Sequence, residues 1–118
     1  MDRRTFIRGA VIAASTPAAI GAVSTLGIGV LVNRYRAANA AWLATAGADG
    51  DVEAEGPEYE AAWSAVKDVV THQCQTAEEV QEKIKAVLSD QWLCETAECG
   101  WDVEAGRLHR HFLRSLII

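Results

Sequence analysis

Positive charge is scarce over most of this chain. Of its 118 residues 11 are Lys or Arg, and five of those (Arg3, Arg4, Arg8, Arg34 and Arg36) stand before residue 37. From residue 37 onward 15 acids face 6 Lys or Arg, a formal charge of −9. Nucleic-acid binding draws its affinity from neutralised phosphates, so a body of this sign is not expected to bind DNA or RNA. An anionic membrane surface would repel it as well. The chemistry-bearing motifs are also missing. There is no Cys-x-x-Cys redox pair, no Cys-x-x-Cys-His haem signature and no Gly-rich loop following a strand. No Ser has a recognisable nucleophile setting, so no catalytic residue and no cofactor is expected.

Charge of either sign is absent from Gly9 to Val32. This run of 24 residues is long enough to span a bilayer, which takes about 20 apolar residues as a helix. It is rich in Ala, Gly, Ser and Thr and carries Pro17, so its transfer into lipid is only weakly favourable. A core helix with a stripe of Ile12, Ala19, Val23 and Leu26 is the alternative, but Ser and Thr alone would have to supply its polar face.

The residues ahead of this run decide between the two. Asp2-Arg3-Arg4-Thr5-Phe6-Ile7-Arg8 resembles a twin-arginine (Tat) export signal: an arginine pair Arg3-Arg4, an apolar pair Phe6-Ile7, then basic Arg8. Asp2 departs from the more usual Ser or Thr. A basic tip stays on the cytoplasmic side while the apolar segment enters the bilayer, and the arginine pair is an address that a receptor reads. Ala38-Asn39-Ala40 has the A-x-A form accepted by signal peptidase, with Ala38 and Ala40 as the small residues. Residues 1–40 are therefore expected to be a signal peptide or a membrane anchor, recognised by the Tat translocase and touching the membrane through residues 9–32 if uncleaved. The rest would then lie in the periplasm, free or anchored to the inner membrane.

Residues 41–56 are small and acidic, which predicts a flexible linker. An EF-hand reading of Asp49, Asp51, Glu53 and Glu55 fails because the sixth position from Asp49 is Ala54 and not Gly.

Residues 57–118 predict a small all-α domain of three helices. Pro57 opens the first, with Glu58 and Glu60 in its first turn and a stripe of Tyr59, Ala62, Trp63, Val66, Val69 and Val70 that fades near His72. Thr76-Ala77-Glu78-Glu79 is a capping box. It opens a second helix with Val80, Ile84, Val87 and Leu88 inward and a solvated Glu79–Lys83 pair, the two helices forming a hairpin. The third runs from about Asp102 to the end, with Leu108, Phe112, Leu113, Leu116 and Ile117 inward and Arg107, Arg110 and Arg114 outward. Trp63, Trp92, Trp101 and Phe112 are expected in the core, and the apolar end at Leu116-Ile117-Ile118 is an alternative docking point for a partner. Trp42 suits a membrane-interface position.

The leader, the Trp-bearing helix "YEAAWSAVKDVV" and "TAEEVQEKIKAVL" together resemble short uncharacterised helical proteins of alphaproteobacteria and their prophages. The resemblance supports the hairpin and implies no activity.

Three cysteines remain. Export would make a disulfide the default. A helix of about thirteen residues holds Cys74 roughly 20 Å from Cys94, whereas bridged Cα atoms lie within about 7 Å, so Cys94–Cys99 is the expected pair. Cys94, Cys99, His109 and His111 could alternatively bind a metal, although His-x-His on a helix points its rings about 200° apart. The function expected is protein–protein interaction by an exported or membrane-tethered helical protein. The alternatives are an accessory small subunit of a Tat-exported oxidoreductase and a Cys/His metal-binding protein.

Overall fold

The computed structural model describes residues 27–118. The expected export signal Arg3, Arg4, Phe6, Ile7 and Arg8 lies outside the described residues, as does most of the charge-free run. Within them the chain is mostly helical: α1 (Ile28–Leu43), α2 (Pro57–Thr71), α3 (Ala77–Leu88), α4 (Gln91–Cys99), β1 (Trp101–Asp102), β2 (Gly106–Arg107) and α5 (Leu108–Ser115).

α2 and α3 form as helices where their periodicity predicts, but they do not pack on each other as the expected hairpin: α2 lies chiefly against α1, and α3 against α1 and α4. Pro57 is the first residue of α2, where its missing N–H costs nothing, and Ala62, Val66, Val69 and Val70 are fully buried. The helix ends at His72, whose backbone is extended. Thr76 caps α3 by accepting the Glu79 N–H at 3.1 Å. The return bond of the capping box comes one residue early: Glu79 Oε1 accepts from the Gln75 N–H at 2.7 Å.

Four further features depart from expectation. First, α1 packs into the core. Ile28, Leu31, Val32 and Tyr35, spaced at i, i+3, i+4 and i+7, are its buried face. The fold therefore begins well before residue 57, and Ala38-Asn39-Ala40 lies within a helix. The acidic segment accordingly starts after Leu43. Its residues 44–56 are exposed apart from half-buried Val52, and the Trp42 indole N–H holds them by donating to the Glu53 carbonyl at 2.8 Å.

Second, the stretch expected as a turn between the second and third helices is α4, capped by Asp90 through the Leu93 N–H at 3.1 Å. Its buried residues Leu93, Thr96 and Ala97 face α2, α3 and α5.

Third, the third helix is shorter than predicted. A two-stranded hairpin precedes it, turned by Gly106 at φ +80° and by the Asp102 carboxylate, which accepts from the Glu104 and Ala105 N–H groups at 2.9 Å.

Fourth, the inward and outward residues are reassigned. Leu88, Trp101 and Leu113 are 72%, 58% and 58% exposed, while Lys83 is fully buried. The Glu79–Lys83 pair is not formed, because α3 turns Lys83 into the junction with α2 and α5.

The centre of the molecule is small-residue packing of α1, α2, α4 and α5 around Ala65, Val66, Val69, Val70, Leu93 and Leu108. Large aromatic rings gather at one edge, where Trp42, Tyr59, Trp63 and Trp92 stand half-buried.

Candidate functional site

Lys83 is the most unusual side chain of the described residues. Its ammonium donates to the Val70 and His72 carbonyls, both at 2.8 Å, and to Ser115 Oγ. The two carbonyls belong to the C-terminal end of α2, where the helix dipole favours a cation. The Phe112 ring lies 5.3 Å away and adds a cation–π contact. Burial pushes the Lys83 pKa down to about 8, so it is still an ammonium at neutral pH.

The same junction holds Cys74, whose thiol is pushed up by burial. The Cys74 N–H donates to the Ser115 carbonyl at 2.9 Å, and Gln73 Nε2 donates to the Ser115 and Ile117 carbonyls at 3.2 and 2.7 Å. These bonds pin the C-terminal end of α5 to the α2–α3 connection.

Beside it sits Glu79. Its Oε2 accepts from the Ile28 N–H at 3.1 Å and faces His72 Nε2 at 3.0 Å. Burial alone would raise the Glu79 carboxyl, but the bonds from the Gln75 N–H, His72 and the Ile28 N–H outweigh it and hold the group below its ordinary value. One carboxylate thereby caps the start of α1, ties α3 to the end of α2 and completes the cap of its own helix.

A lysine beside a serine and a cysteine invites a nucleophile reading, and the directions of the protons argue against it. Lys83 donates to Ser115, and the Ser115 hydroxyl in turn donates to the Phe112 carbonyl. Neither group is poised to take a proton from the other. Lys83, Ser115 and Cys74 line none of the three cavities described below. This junction is a structural knot.

The cavities lie on three other faces. One, of about 420 Å³, is a cleft between α1 and α3 floored by Ile28, Val32 and Ala86. The second, of about 410 Å³, runs between α3, α4 and α5. Its walls are Ile84, Val87, Leu88, Ala97, Phe112, Leu113 and Leu116, with Glu98 and His109 the only ionisable residues on it besides Cys94. The third, of about 510 Å³, is a notch against Trp42, Tyr59 and Trp92.

Cys94 and Cys99 are both free thiols and do not form the expected bridge. The reason is geometric: both lie on α4, and residues five apart on a helix have Cα atoms about 8.7 Å apart and directed about 140° away from each other, beyond the reach of a disulfide. Cys94 faces the apolar groove, Cys99 is exposed and Cys74 is buried. His109 lies on the groove rim, and His111 Nε2 sits against the Ala105 carbonyl. Among the described residues no three His, Cys, Asp or Glu side chains converge as metal ligands would.

Lys83 and Ser115 escaped the sequence reading, although a signal was present. Lys83 falls on the apolar stripe between Val80 and Val87, and Ser115 on the stripe that starts at Leu108 and Phe112. A polar residue on a buried stripe is a prediction of an internal bond.

No family model, curated protein or solved structure matches this chain.

Proposed function

We propose that this chain is a membrane-delivered helical adaptor whose apolar groove between α3, α4 and α5 takes a helix of a partner protein. The observation that carries the reading is the groove itself. Leucines belong in cores, yet Leu88 and Leu113 stand 72% and 58% exposed on its two lips. The floor between them is Val87, Ala97 and Phe112. Three helices enclosing an apolar trough with leucine rims suit an amphipathic helix laid in by its apolar face.

The location rests on the leader. Arg3, Arg4, Phe6, Ile7 and Arg8 have the order of residues that a twin-arginine receptor reads. Because Ile28, Leu31 and Val32 are buried in the folded body, the apolar segment available to lipid ends at about Gly27. Gly9 to Gly27 is 19 residues, close to the length of a membrane span. Retention as a tether is favoured over scission after Ala40, which would divide α1. No helix among the described residues is long and apolar enough to cross a membrane, so a tether has to come from the leader.

A photo-crosslinking amino acid at Leu88 in the full chain, expressed in its own host, tests the groove. The expected result is one discrete protein adduct that disappears when Leu113→Glu is added. Persistence of the adduct with Leu113→Glu, or labelling of lipid alone, would refute the adaptor reading. Arg3→Lys with Arg4→Lys tests the route: both chains remaining in the cytosol would remove the export premise.

A further inference from the structure

Tyr35 is the one aromatic ring fully buried in the core of the described residues, while Trp42, Tyr59, Trp63 and Trp92 collect at an edge and stay half-buried. Trp42 of α1, Tyr59 of α2 and Trp92 of α4 meet there. Trp42 is inclined 48° to Trp92 at 5.1 Å and 62° to Tyr59 at 5.3 Å, whereas Tyr59 and Trp92 are nearly parallel, 15° apart at 6.1 Å. At these separations the rings pack on one another, and the surfaces they leave free line the notch of about 510 Å³. The Glu53 carbonyl fixes Trp42 through its indole N–H, so the wall is preorganised.

Two carboxylates, Asp90 and Glu95, face the same notch, and among the described residues no Lys, Arg or His lines it. Asp90 Oδ1 accepts from the Tyr35 hydroxyl at 2.9 Å and from the Leu93 N–H at 3.1 Å, which sets the direction of that carboxylate. Next door the chain places one of its own cations on the same aromatic group. Lys67 Nζ lies 5.7 Å from the Trp63 ring, which stacks on Trp92 at 6.1 Å and 9°.

We infer that this notch binds an alkylated ammonium cation, held by the faces of Trp42, Tyr59 and Trp92 and by the charges of Asp90 and Glu95. Aromatic faces attract cations through their quadrupole, and carboxylates at the rim reinforce the field. A bare metal ion or a primary ammonium is strongly hydrated and gains little from apolar walls. An alkylated ammonium carries the same charge under a weakly hydrated apolar coat, and the volume is within the range of small-ligand sites. The inference rests on α1, α2 and the start of α4, and does not depend on the apolar groove.

The test is an NMR titration of the ¹⁵N-labelled full chain in a neutral maltoside detergent, following the tryptophan indole N–H signals. Choline chloride is the ligand, sodium chloride the ionic-strength control and 3,3-dimethylbutanol the uncharged isostere of choline. The expected result is a saturable shift of the Trp42 and Trp92 signals with Trp101 unmoved, and binding of the isostere weaker by roughly tenfold. Glu95→Gln, an exposed change, weakens choline by about threefold with the melting temperature unaltered. Tyr59→Leu weakens it further. A trimethyllysine peptide binding more tightly than choline would place the cation on a protein, and the reverse order on a free metabolite. Equal binding of choline and its isostere, or no saturable shift, overturns the inference.

Discussion

At the scale of single residues the fold depends on Lys83 and Glu79, two charged side chains turned inward at one junction. The pKa of Lys83 is lowered to about 8 from an ordinary 10.5. Between these values the unfolded chain holds a proton that the folded chain has released, so stability rises with pH through that window. The slope is about 1 kcal/mol per pH unit. Comparison with Lys83→Met in a Cys74→Ala background isolates it, since the Cys74 thiol, whose raised pKa opposes the trend, itself feels the Lys83 charge. Urea unfolding at pH 7.5 and 9 is expected to show the chain that keeps Lys83 gaining on the variant. Equal differences at both values would mean that Lys83 titrates normally. At pH 7 Lys83→Met also leaves the Val70 and His72 carbonyls without their donor, at a cost of about 1 to 3 kcal/mol. Glu79 has the same sign in a lower pH window, because its folded-state value is depressed too. Its carboxyl is held below the ordinary 4.5, so its contribution is present above that pH and lost as pH falls below it. Glu79→Gln should flatten the acid limb of the stability profile, measured by circular dichroism between pH 6 and 3, and an unchanged limb would remove Glu79 from the account.

Among the elements, α1 is the one that changes the reading of the chain. Its buried face of Ile28, Leu31, Val32 and Tyr35 contributes about 1.5 to 3 kcal/mol per side chain. The sum of about 6 to 12 kcal/mol is comparable to the whole stability of a small domain. A chain starting at Ala41 is therefore expected to lose its cooperative thermal transition, and a chain starting at Gly27 to keep it. A sharp melt from the Ala41 chain would show that α1 is dispensable and restore scission after Ala40. α2 and α3 were legible as helices because their caps and stripes are local: Pro57, Thr76 and the valine spacing each act within one or two turns. Their packing was not, because both lie against α1 rather than forming a hairpin with each other. α1 was not legible because Ile28 to Val32 continues a charge-free run without a break, and composition does not mark where a leader stops and a core helix starts. α4 was hidden by its length of nine residues and by the cysteines, which drew the reading toward a bridged turn. Its cysteines carry a further prediction. With a thiol reagent on the native protein, Cys99 and then Cys94 should be labelled, and Cys74 only after denaturation. Mass spectrometry that finds Cys94 and Cys99 blocked together would restore the bridge, at the cost of unwinding α4.

For the whole molecule, the proposed tether raises the question of what would hold at a membrane a folded body, residues 27–118, in which 15 acids face 8 Lys or Arg, a formal charge of −7. Anionic lipid headgroups repel such a body, so surface electrostatics oppose the association proposed for the leader. The apolar groove has two exposed leucine lips, with charged Glu98 and Arg114 in solvent on the helices that enclose it, not the continuous apolar face of an inserting amphipathic helix. Under the proposed function the attachment is apolar and belongs to the segment that ends at about Gly27. Apolar attachment and charge attachment respond oppositely to salt: screening at about 1 M reduces the Debye length to roughly 3 Å and releases a protein held by charge, but it leaves an embedded segment in place. The full chain is expected to sediment with membranes from its host in both low salt and about 1 M salt, and the chain starting at Gly27 to remain in the supernatant in both. Release of the full chain by salt would assign the contact to the folded surface or to a salt-sensitive partner. A Gly27 chain that still sediments in high salt, and is freed by Leu113→Glu, would assign it to a partner helix in the groove.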